Sequence, residues 1–292
     1  MNGKLKKLSL GLAIFLALSQ VSYAKDMMQI KGSDTLINLV QRLAEVYMEK
    51  NPGKYIAVTG GGSGTGVAAL INGKCDIANS SRNMEPKEIE QAMSVNVNPQ
   101  RAVIAMDGLT VVINASNPVD KLTVDQIGKI FRGEITNWKD VGGQDMSINL
   151  YGRQSNSGTY VFFRDVVLAG EYSQHMNHMN GNAQIIESVK QDASGIGYVG
   201  VGYGKDVTGI TVVKVAGRPG GEYSSPLNTA DVLSGKYPIA RPLNQYINGT
   251  PSERIKDFIN FELSEEGQKI AEEEGFFRIP GEYVEFNKRL GL

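Results

Sequence analysis

The sequence is poor in the residues that carry nucleophilic and metal chemistry, with one cysteine and two histidines in 292 residues. Cys75 has no second cysteine for an intramolecular disulfide, and its apolar neighbours favour a buried small side chain over a reactive thiol. His175 and His178 lie in a polar stretch that we interpret as an exposed loop, with no third ligand to complete a metal site. A serine nucleophile usually needs a base such as histidine, and neither Ser63 nor Ser157 lies in a G-x-S-x-G motif. We therefore predict that the chain is not an enzyme and uses no cofactor or metal.

Long apolar runs are absent except at residues 8–18, which are too few to span a bilayer core of about 30 Å. Three lysines precede this run, and Ser22 and Ala24 then place small residues at the −3 and −1 positions of a cleavage site. This order of charge, apolar run and small residues predicts a secretory signal peptide over residues 1–24, cleaved after Ala24. A membrane anchor is the alternative. No cysteine follows the run, where a bacterial lipoprotein would carry its lipid.

An excess of positive charge is also missing. The whole chain has 30 basic and 31 acidic residues, and removal of residues 1–24 takes away three lysines and no acids, so the net charge becomes about −4. Nucleic-acid binding favours a basic patch, so we predict no nucleic-acid partner. Any bound anion must therefore be attracted by local donors and not by the overall charge.

Three loops that combine glycine with small hydroxyl residues carry most of the information in the chain. They are residues 32–35 (Gly-Ser-Asp-Thr), residues 60–66 (Gly-Gly-Gly-Ser-Gly-Thr-Gly) and residues 152–159 (Gly-Arg-Gln-Ser-Asn-Ser-Gly-Thr). Each follows a predicted strand and opens a predicted helix, where free N–H groups and the helix dipole favour an anion. Hydroxyls add donors, and glycine lets the backbone approach closely. Together they predict an anion held by converging helix N-termini.

The second loop has two other interpretations. It is not a Walker A loop, because no lysine follows Gly66, but residues 64–69 fit the dinucleotide pattern G-x-G-x-x-A. The following helix is short, and no acidic residue closes a strand about twenty residues later, which argues against a dinucleotide. A structural glycine turn is the second alternative. We favour an anion loop with Ser63 as a donor.

Strand and helix signals alternate along the chain, which predicts an α/β fold with largely buried sheets. The predicted strands cover residues 28–31, 55–59, 75–79, 101–106, 109–114, 147–151, 196–199 and 210–213, with a short strand from Ile239. Pro86 begins a helix, Thr123 and Ser157 cap helices, and two helices cover residues 251–263 and 265–274. The sequence contains no internal repeat, and no long linker separates its two strand–helix groups. We therefore predict two lobes joined by strands that cross near residues 106–110 and 237–242.

Two arginines accompany the loops. Arg153 ends an apolar strand four residues before the helix cap Ser157, where its planar charged group can face an oxyanion. A surface salt bridge is the alternative for Arg153. Arg82 follows Ser80 and Ser81, and it can contact the anion, bridge the lobes or stabilise its loop.

The chain resembles the periplasmic phosphate-binding proteins that serve phosphate ABC transporters, over essentially its whole length after residue 24. The resemblance rests on the order of the loops, on residues 76–82, 131–138 and 195–198, and most specifically on Arg153 followed by Ser157, Gly158 and Thr159. It implies the two-domain periplasmic binding protein fold (type II-like), with one phosphate in a cleft between lobe I (residues 25–107 and 241–292) and lobe II (residues 108–240). The binding residues that it implies are Ser33, Thr35, Ser63, Ser81, Arg82, Arg153, Ser157, Gly158 and Thr159.

This chain departs from the family at one position. Some members have, in the loop that corresponds to residues 80–82, an aspartate that accepts the proton of bound phosphate, and this chain ends that loop with Ser81 and Arg82. Asp34, in the first loop, is our candidate for that acceptor. The alternative is that Asp34 only caps the helix that follows.

The resemblance thus implies a periplasmic, monomeric receptor that captures inorganic phosphate and presents it to the permease and ATPase of an ABC importer. The lobes would close on the ligand. A receptor for another tetrahedral oxyanion, such as sulfate, molybdate or tungstate, is the alternative of the same class. A secreted phosphate-ester hydrolase and an extracellular adhesion protein are alternatives of other classes.

Overall fold

The computed structural model describes residues 27–292, so the predicted signal peptide lies outside the described residues. Two five-stranded sheets form the frame of this part of the chain. The strands of the first sheet are β1 (Met27–Gly32), β2 (Tyr55–Thr59), β3 (Ile77–Ser80), β4 (Pro99–Gly108) and β12 (Ala240–Asn248). Their order is β2-β1-β3-β12-β4. The first three pair in parallel, whereas β12 runs antiparallel to both of its neighbours.

The second sheet is built from the middle of the chain. Its strands are β5 (Thr110–Asn114), β7 (Asn149–Arg153), β8 (Asn177–Met179), β9 (Gly195–Val199) and β10 (Ile210–Val212), in the order β10-β5-β9-β7-β8. The short strands β6 (Lys121–Thr123) and β11 (Lys214–Ala216) pair in parallel beside it. The predicted α/β class is confirmed. The lobe boundaries given above stay a prediction.

Helices cover both sheets. They are α1 (Ile37–Lys50), α2 (Ser63–Ile71), α3 (Pro86–Ser94), α4 (Val124–Arg132), α5 (Gly158–Phe163), α6 (Asn182–Gln191), α7 (Val201–Gly204), α8 (Thr229–Leu233), α9 (Glu253–Leu263), α10 (Glu265–Glu273) and α11 (Gly281–Asn287). Short 3₁₀ turns lie at Trp138–Val141 and Lys288–Leu290, and a π-helical turn, Arg164–Leu168, continues α5.

Local sequence explains where these helices begin. Thr123 caps α4 as predicted, and its hydroxyl accepts from the Gln126 backbone while the Gln126 side chain accepts from the Thr123 N–H. Pro86 occupies the first turn of α3, as predicted. Ser157 caps α5 by accepting from the N–H groups of Thr159 and Tyr160. These capping interactions fix where each helix begins and so fix the position of the loop that precedes it.

The chain passes between the two sheets where β4 leads directly into β5. Only Leu109 separates these two strands, and its carbonyl accepts from Tyr237 Oη at 2.6 Å. On the return path β12 pairs with β4 along its whole length, from Ala240 opposite Gly108 to Asn248 opposite Pro99. The predicted short strand from Ile239 is therefore a nine-residue strand that begins at Ala240.

Several other boundaries differ from prediction. β3 begins at Ile77 and not at residue 75, so Cys75 precedes it and is half-buried against a small apolar cluster. Burial raises the pKa of the Cys75 thiol to about 12, as expected for an inert thiol. β7 begins at Asn149 and not at residue 147. The predicted loop around the histidines contains the edge strand β8, although His175 and His178 are both exposed. Among residues 27–292 we find no helix with the length and apolar character needed to cross a membrane.

A buried carboxyl group lies behind the first sheet. Glu262, on α9, is 1% exposed, and its Oε1 accepts from Gln245 Nε2 at 3.0 Å. Gln245 Nε2 also donates to Asn79 Oδ1 at 3.2 Å. Burial raises the pKa of Glu262 well above its usual range, and the hydrogen bond from Gln245 opposes this only in part. The folded chain thus keeps Glu262 protonated where the unfolded chain ionises it.

We predict that this proton makes stability depend on pH. Because the pKa of Glu262 is higher in the folded chain, its contribution is fully present below about pH 4.3 and is lost as the pH rises, with a slope of up to about 1.4 kcal/mol per pH unit. Glu262→Gln, a neutral isostere, should remove this slope. Urea unfolding of the parent and the variant at several pH values measures it, and Glu90→Gln on the exposed face of α3 is the control. Equal slopes in the parent and Glu262→Gln would contradict the prediction.

Candidate anion-binding site

The first loop lies at the end of β1, where the chain turns into α1. The Ser33 N–H donates to the Asn79 carbonyl at 2.9 Å, and Ser33 Oγ accepts from the Thr35 N–H at 3.2 Å. Ser33 and Thr35 are buried, with 3% and 0% exposure. The loop is thereby held against the end of β3, the neighbouring strand of the first sheet.

The second loop is fixed by backbone geometry that glycine allows. Gly62 has φ 94°, in the left-handed region, and its N–H donates to the Gly32 carbonyl at 2.9 Å. Ser63 then begins α2 and is fully buried. Its Oγ accepts from the Ser81 N–H at 3.1 Å. A further loop, which begins at Ser81 after β3, therefore lies beside the first two, so that the loops after β1, β2 and β3 are neighbours.

The loop of the second sheet follows β7. The Arg153 N–H donates to Tyr198 Oη at 3.1 Å. Tyr198 is itself fixed in the core, where its ring stacks on Phe163 with centroids 4.1 Å apart. Ser157 and Thr159 are 2% and 0% exposed. The aromatic core beneath the second sheet thus sets the position of the Arg153 backbone.

The hydroxyl groups of the two sheets meet. Thr35 Oγ1 and Thr159 Oγ1 are 2.9 Å apart, and Ser81 Oγ lies 3.4 Å from both Ser63 Oγ and Thr159 Oγ1. Gly158 permits this approach, because a Cβ there would lie 2.8 Å from both Ser63 Cβ and Ser81 Oγ. The structure thus brings four of the predicted hydroxyl residues into one buried cluster: Thr35, Ser63, Ser81 and Thr159. The hydroxyls of Ser33 and Ser157 instead accept from backbone N–H groups of their own loops.

Arg153 and Asp34, both predicted for the site, form an ion pair between the two halves of the structure. Arg153 Nη2 donates to Asp34 Oδ2 and, at 2.9 Å, to the Asn180 carbonyl. The other carboxylate oxygen of Asp34 accepts from the Gly61 N–H at 2.7 Å. Arg153 is 2% exposed, so the surface salt bridge that we considered for it is wrong. Its Nε is buried without a hydrogen-bond partner.

Asp34 does not cap the following helix. The cap position of α1 is Leu36, which makes no side-chain capping hydrogen bond, and the Asp34 carboxylate points instead to Gly61 and Arg153. Tyr203 Oη donates to the Asp34 carbonyl at 2.8 Å. Burial and then the charge of Asp34 raise the pKa of Tyr203 to about 12, so this phenol stays a donor at neutral pH.

Arg82 is paired with Glu88 of α3. Its two terminal nitrogens donate to the carboxylate of Glu88 at 2.7 and 2.6 Å, and Nη1 also reaches the Asn83 carbonyl at 2.8 Å. Desolvation alone would lower the pKa of Arg82, but the bonds and charge of Glu88 raise it overall. The guanidinium thus stabilises its own loop, and its role as an anion ligand stays a prediction.

Sequence reasoning missed a second buried ion pair, between Asp107 and Arg241, which are 0% and 2% exposed. They are cross-strand partners on β4 and β12. Arg241 donates through Nε and Nη2 to Asp107 Oδ2 at 3.0 and 2.8 Å. Burial lowers the pKa of Arg241, and Asp107 opposes this shift. One signal was available, because Asp107 directly follows the apolar run 102–106 and Arg241 is the one charged residue of its strand, and both lie at a predicted crossing.

Asn156 was also missed, and it joins the two halves on the outer side of the cluster. Its Nδ2 donates to the Gly61 carbonyl at 2.9 Å, and its own carbonyl accepts from the Gly64 N–H at 2.9 Å. In the part of the chain that the structure describes, no group of three or more His, Cys, Asp or Glu residues is placed to hold a metal ion. The site offers hydroxyl, amide and guanidinium donors, which are the groups that bind oxyanions.

Comparison with known proteins gives one consistent result. Residues 19–266 match the PBP superfamily domain. The phosphate-binding protein PstS of Pseudomonas aeruginosa is 30% identical over 280 residues, covering 89% of this chain and 86% of that protein. PstS of Borreliella burgdorferi is 30% identical over 262 residues, covering 86% and 89%.

Solved structures agree with the sequence relatives. A putative phosphate ABC transporter substrate-binding protein with bound phosphate, from Clostridium perfringens, has a TM-score of 0.77 at 29% identity and covers 87% of this chain and 100% of its own. An ABC-type phosphate transport receptor from Vibrio cholerae has a TM-score of 0.70 at 28% identity, with coverage of 87% and 100%. The predicted resemblance and two-domain periplasmic binding protein fold are confirmed, and the chain belongs to the PstS family of phosphate-binding proteins.

Proposed function

We propose that this chain captures inorganic phosphate between lobes I and II and delivers it to the permease and ATPase of an ABC importer. The observation that carries the proposal is the buried set of hydroxyls that meets from both sheets, with Arg153 buried and paired with Asp34 across the same two loops. The names of the relatives, phosphate-binding protein and phosphate transport receptor, support it. The receptor acts in the periplasm as a monomer after cleavage behind Ala24, and it performs no chemistry on its ligand.

The donor set suits a small oxyanion. Phosphate has four oxygens that accept hydrogen bonds, and Ser33, Thr35, Ser63, Ser81 and Thr159 are buried hydroxyl residues with protons to donate. Arg153 adds a charge-assisted donor, which is roughly twice as strong as a neutral one. The ligand would bind among these residues together with Ser157 and Gly158.

Lobe closure follows from the origin of these donors. Thr35 and Thr159, Gly61 and Asn156, and Asp34 and Arg153 are contacts between the predicted lobes. A ligand that touches both lobes stabilises the closed arrangement, because it binds the closed state better than the open one.

We predict that Arg153→Ala weakens phosphate binding by at least about 2 kcal/mol, because truncation of one partner in a buried charge pair costs about 2–5 kcal/mol. Isothermal titration calorimetry with phosphate measures the change. The control is Arg42→Ala, which removes an exposed arginine of α1 that pairs only with Glu45 at 3.5 Å. Unchanged affinity in Arg153→Ala would remove Arg153 from the site and argue against the proposed function.

A second prediction concerns selectivity. Phosphate carries at least one proton at neutral pH and sulfate carries none, so a carboxylate can accept from phosphate but would face sulfate charge against charge. Asp34 is our candidate for this acceptor, because its carboxylate has lone pairs beyond those used by Gly61 and Arg153. Asp34→Asn should weaken phosphate binding and narrow the preference over sulfate.

Competition titrations with phosphate and sulfate test this selectivity, with Asp125→Asn in the exposed first turn of α4 as the control. If Asp34→Asn loses phosphate affinity yet excludes sulfate as well as the parent does, Asp34 only orients Arg153 and another group accepts the proton. Tight binding of sulfate, molybdate or tungstate by the parent would favour the alternative oxyanion receptor.

Phosphate should also make the protein more compact and more stable to heat. A ligand that binds only the folded state stabilises it by about 2.7 kcal/mol at one hundred times its Kd. Small-angle scattering and thermal unfolding with and without phosphate measure the two effects, and equal concentrations of sulfate serve as the control. An unchanged radius of gyration together with an unchanged Tm would contradict the closing cleft.

A further inference from the structure

We propose that Arg241 is a positioning residue that fixes the Thr159 hydroxyl as a donor toward the bound anion. The inference rests on the proposed function, since it assumes that Thr159 contacts phosphate. Arg241 lies outside every loop that the sequence analysis selected, on the strand β12 that returns to the first sheet.

The surroundings of Arg241 show that it is built into the site. Its side chain and that of Asp107 are 1% and 0% exposed, and its guanidinium lies over the Phe162 ring, 5.1 Å from the centroid. A buried guanidinium is costly unless it is paired and its N–H groups find acceptors. Asp107 supplies the charge, and Asp107 Oδ1 is itself held by the Val201 N–H at 2.9 Å.

The remaining donors of Arg241 reach groups of both halves of the site. Nη1 donates to the Ser81 carbonyl at 2.9 Å, and Nη2 donates to Thr159 Oγ1 at 3.0 Å. Ser81 follows β3 of the first sheet, whereas Thr159 lies in α5 after β7 of the second. Arg241 therefore fixes the distance between Ser81, in the first half of the hydroxyl cluster, and Thr159, in the second.

The bond to Thr159 also sets the direction of its proton. A threonine hydroxyl has one proton and two lone pairs, and arginine can only donate. Because Nη2 occupies a lone pair of Thr159 Oγ1, the Thr159 proton must point elsewhere, toward the side where Thr35 Oγ1 lies at 2.9 Å and Ser81 Oγ at 3.4 Å. On that side Thr159 is a donor. An anion oxygen on that side can therefore accept the Thr159 proton.

Arg241 thus directs the Thr159 proton toward the ligand and acts on the ligand through Thr159, without contacting the ligand itself. Lysine at this position would keep the charge but lose the planar group that reaches Asp107, Ser81 and Thr159 together.

A double-mutant cycle between Arg241 and Thr159 tests the inference, with phosphate affinity measured by calorimetry. We expect Arg241→Lys to weaken binding about tenfold or more in the parent, as befits loss of a charge-assisted hydrogen bond. The same change should cost less than about twofold in a Thr159→Val background, where no hydroxyl remains to be oriented. Thr159→Ser keeps the hydroxyl and should restore the full effect of Arg241→Lys.

Other results would contradict the positioning role of Arg241 or the proposed function. An equal loss from Arg241→Lys in the parent and in Thr159→Val would mean that Arg241 acts on folding or touches the anion directly. If Arg241→Lys does not fold, the paired change Arg241→Met with Asp107→Leu removes both charges and leaves neither buried alone. The loss of phosphate affinity caused by this paired change must again be smaller in the Thr159→Val background than in the parent. No phosphate binding by the parent would instead refute the proposed function.

Discussion

The antiparallel pairing of β4 with β12 determines how the two sheets meet. Both connections between the sheets leave from one end of this ladder, where Gly108 lies opposite Ala240. The last pairs of the ladder include Asp107 opposite Arg241, so the strand register itself places a buried ion pair at the junction. A shift of β12 by one residue would turn Arg241 to the opposite face of the sheet from Asp107 and separate the pair. The position of every loop around the hydroxyl cluster thus depends on this one pairing.

The charges of the site are balanced locally. Arg153 is paired with Asp34 and Arg241 with Asp107, so each buried cation has its own carboxylate. The first pair joins the loops that follow β1 and β7, and the second joins β4 to β12. Such a site attracts an anion through the direction of its hydroxyl and amide dipoles more than through net charge. This agrees with a chain that has about as many acidic as basic residues.

Much of the architecture could be predicted from the sequence because local signals determined it. Caps at Thr123 and Ser157 and the proline at position 86 identified helix starts, and apolar runs identified most strands. The glycine and hydroxyl loops also pointed to the residues that meet in the cluster. The boundaries that failed, at Cys75 and at the edge strand that contains His178, depend on pairing with distant strands. Local patterns do not contain that information.

The site itself could be predicted only in part, for the same physical reason. Arg82 and Arg153 look alike in sequence, but their roles are decided by what lies opposite, Glu88 in one case and Asp34 in the other. Arg241 and Asp107 are 134 residues apart and meet only through the strand register. The aspartate that looked like a helix cap is held by Gly61 and Arg153, residues that come close only in the folded chain.

The half-buried thiol of Cys75 has a practical consequence. A thiol must ionise before it reacts with maleimide or iodoacetamide reagents, and burial keeps that of Cys75 protonated at neutral pH. An exposed cysteine introduced at the rim of the cleft would have an ordinary pKa of about 8.5 and would react first. A fluorophore can therefore be attached at one chosen position without replacing the native cysteine. The protein then becomes an optical reporter of its own ligand.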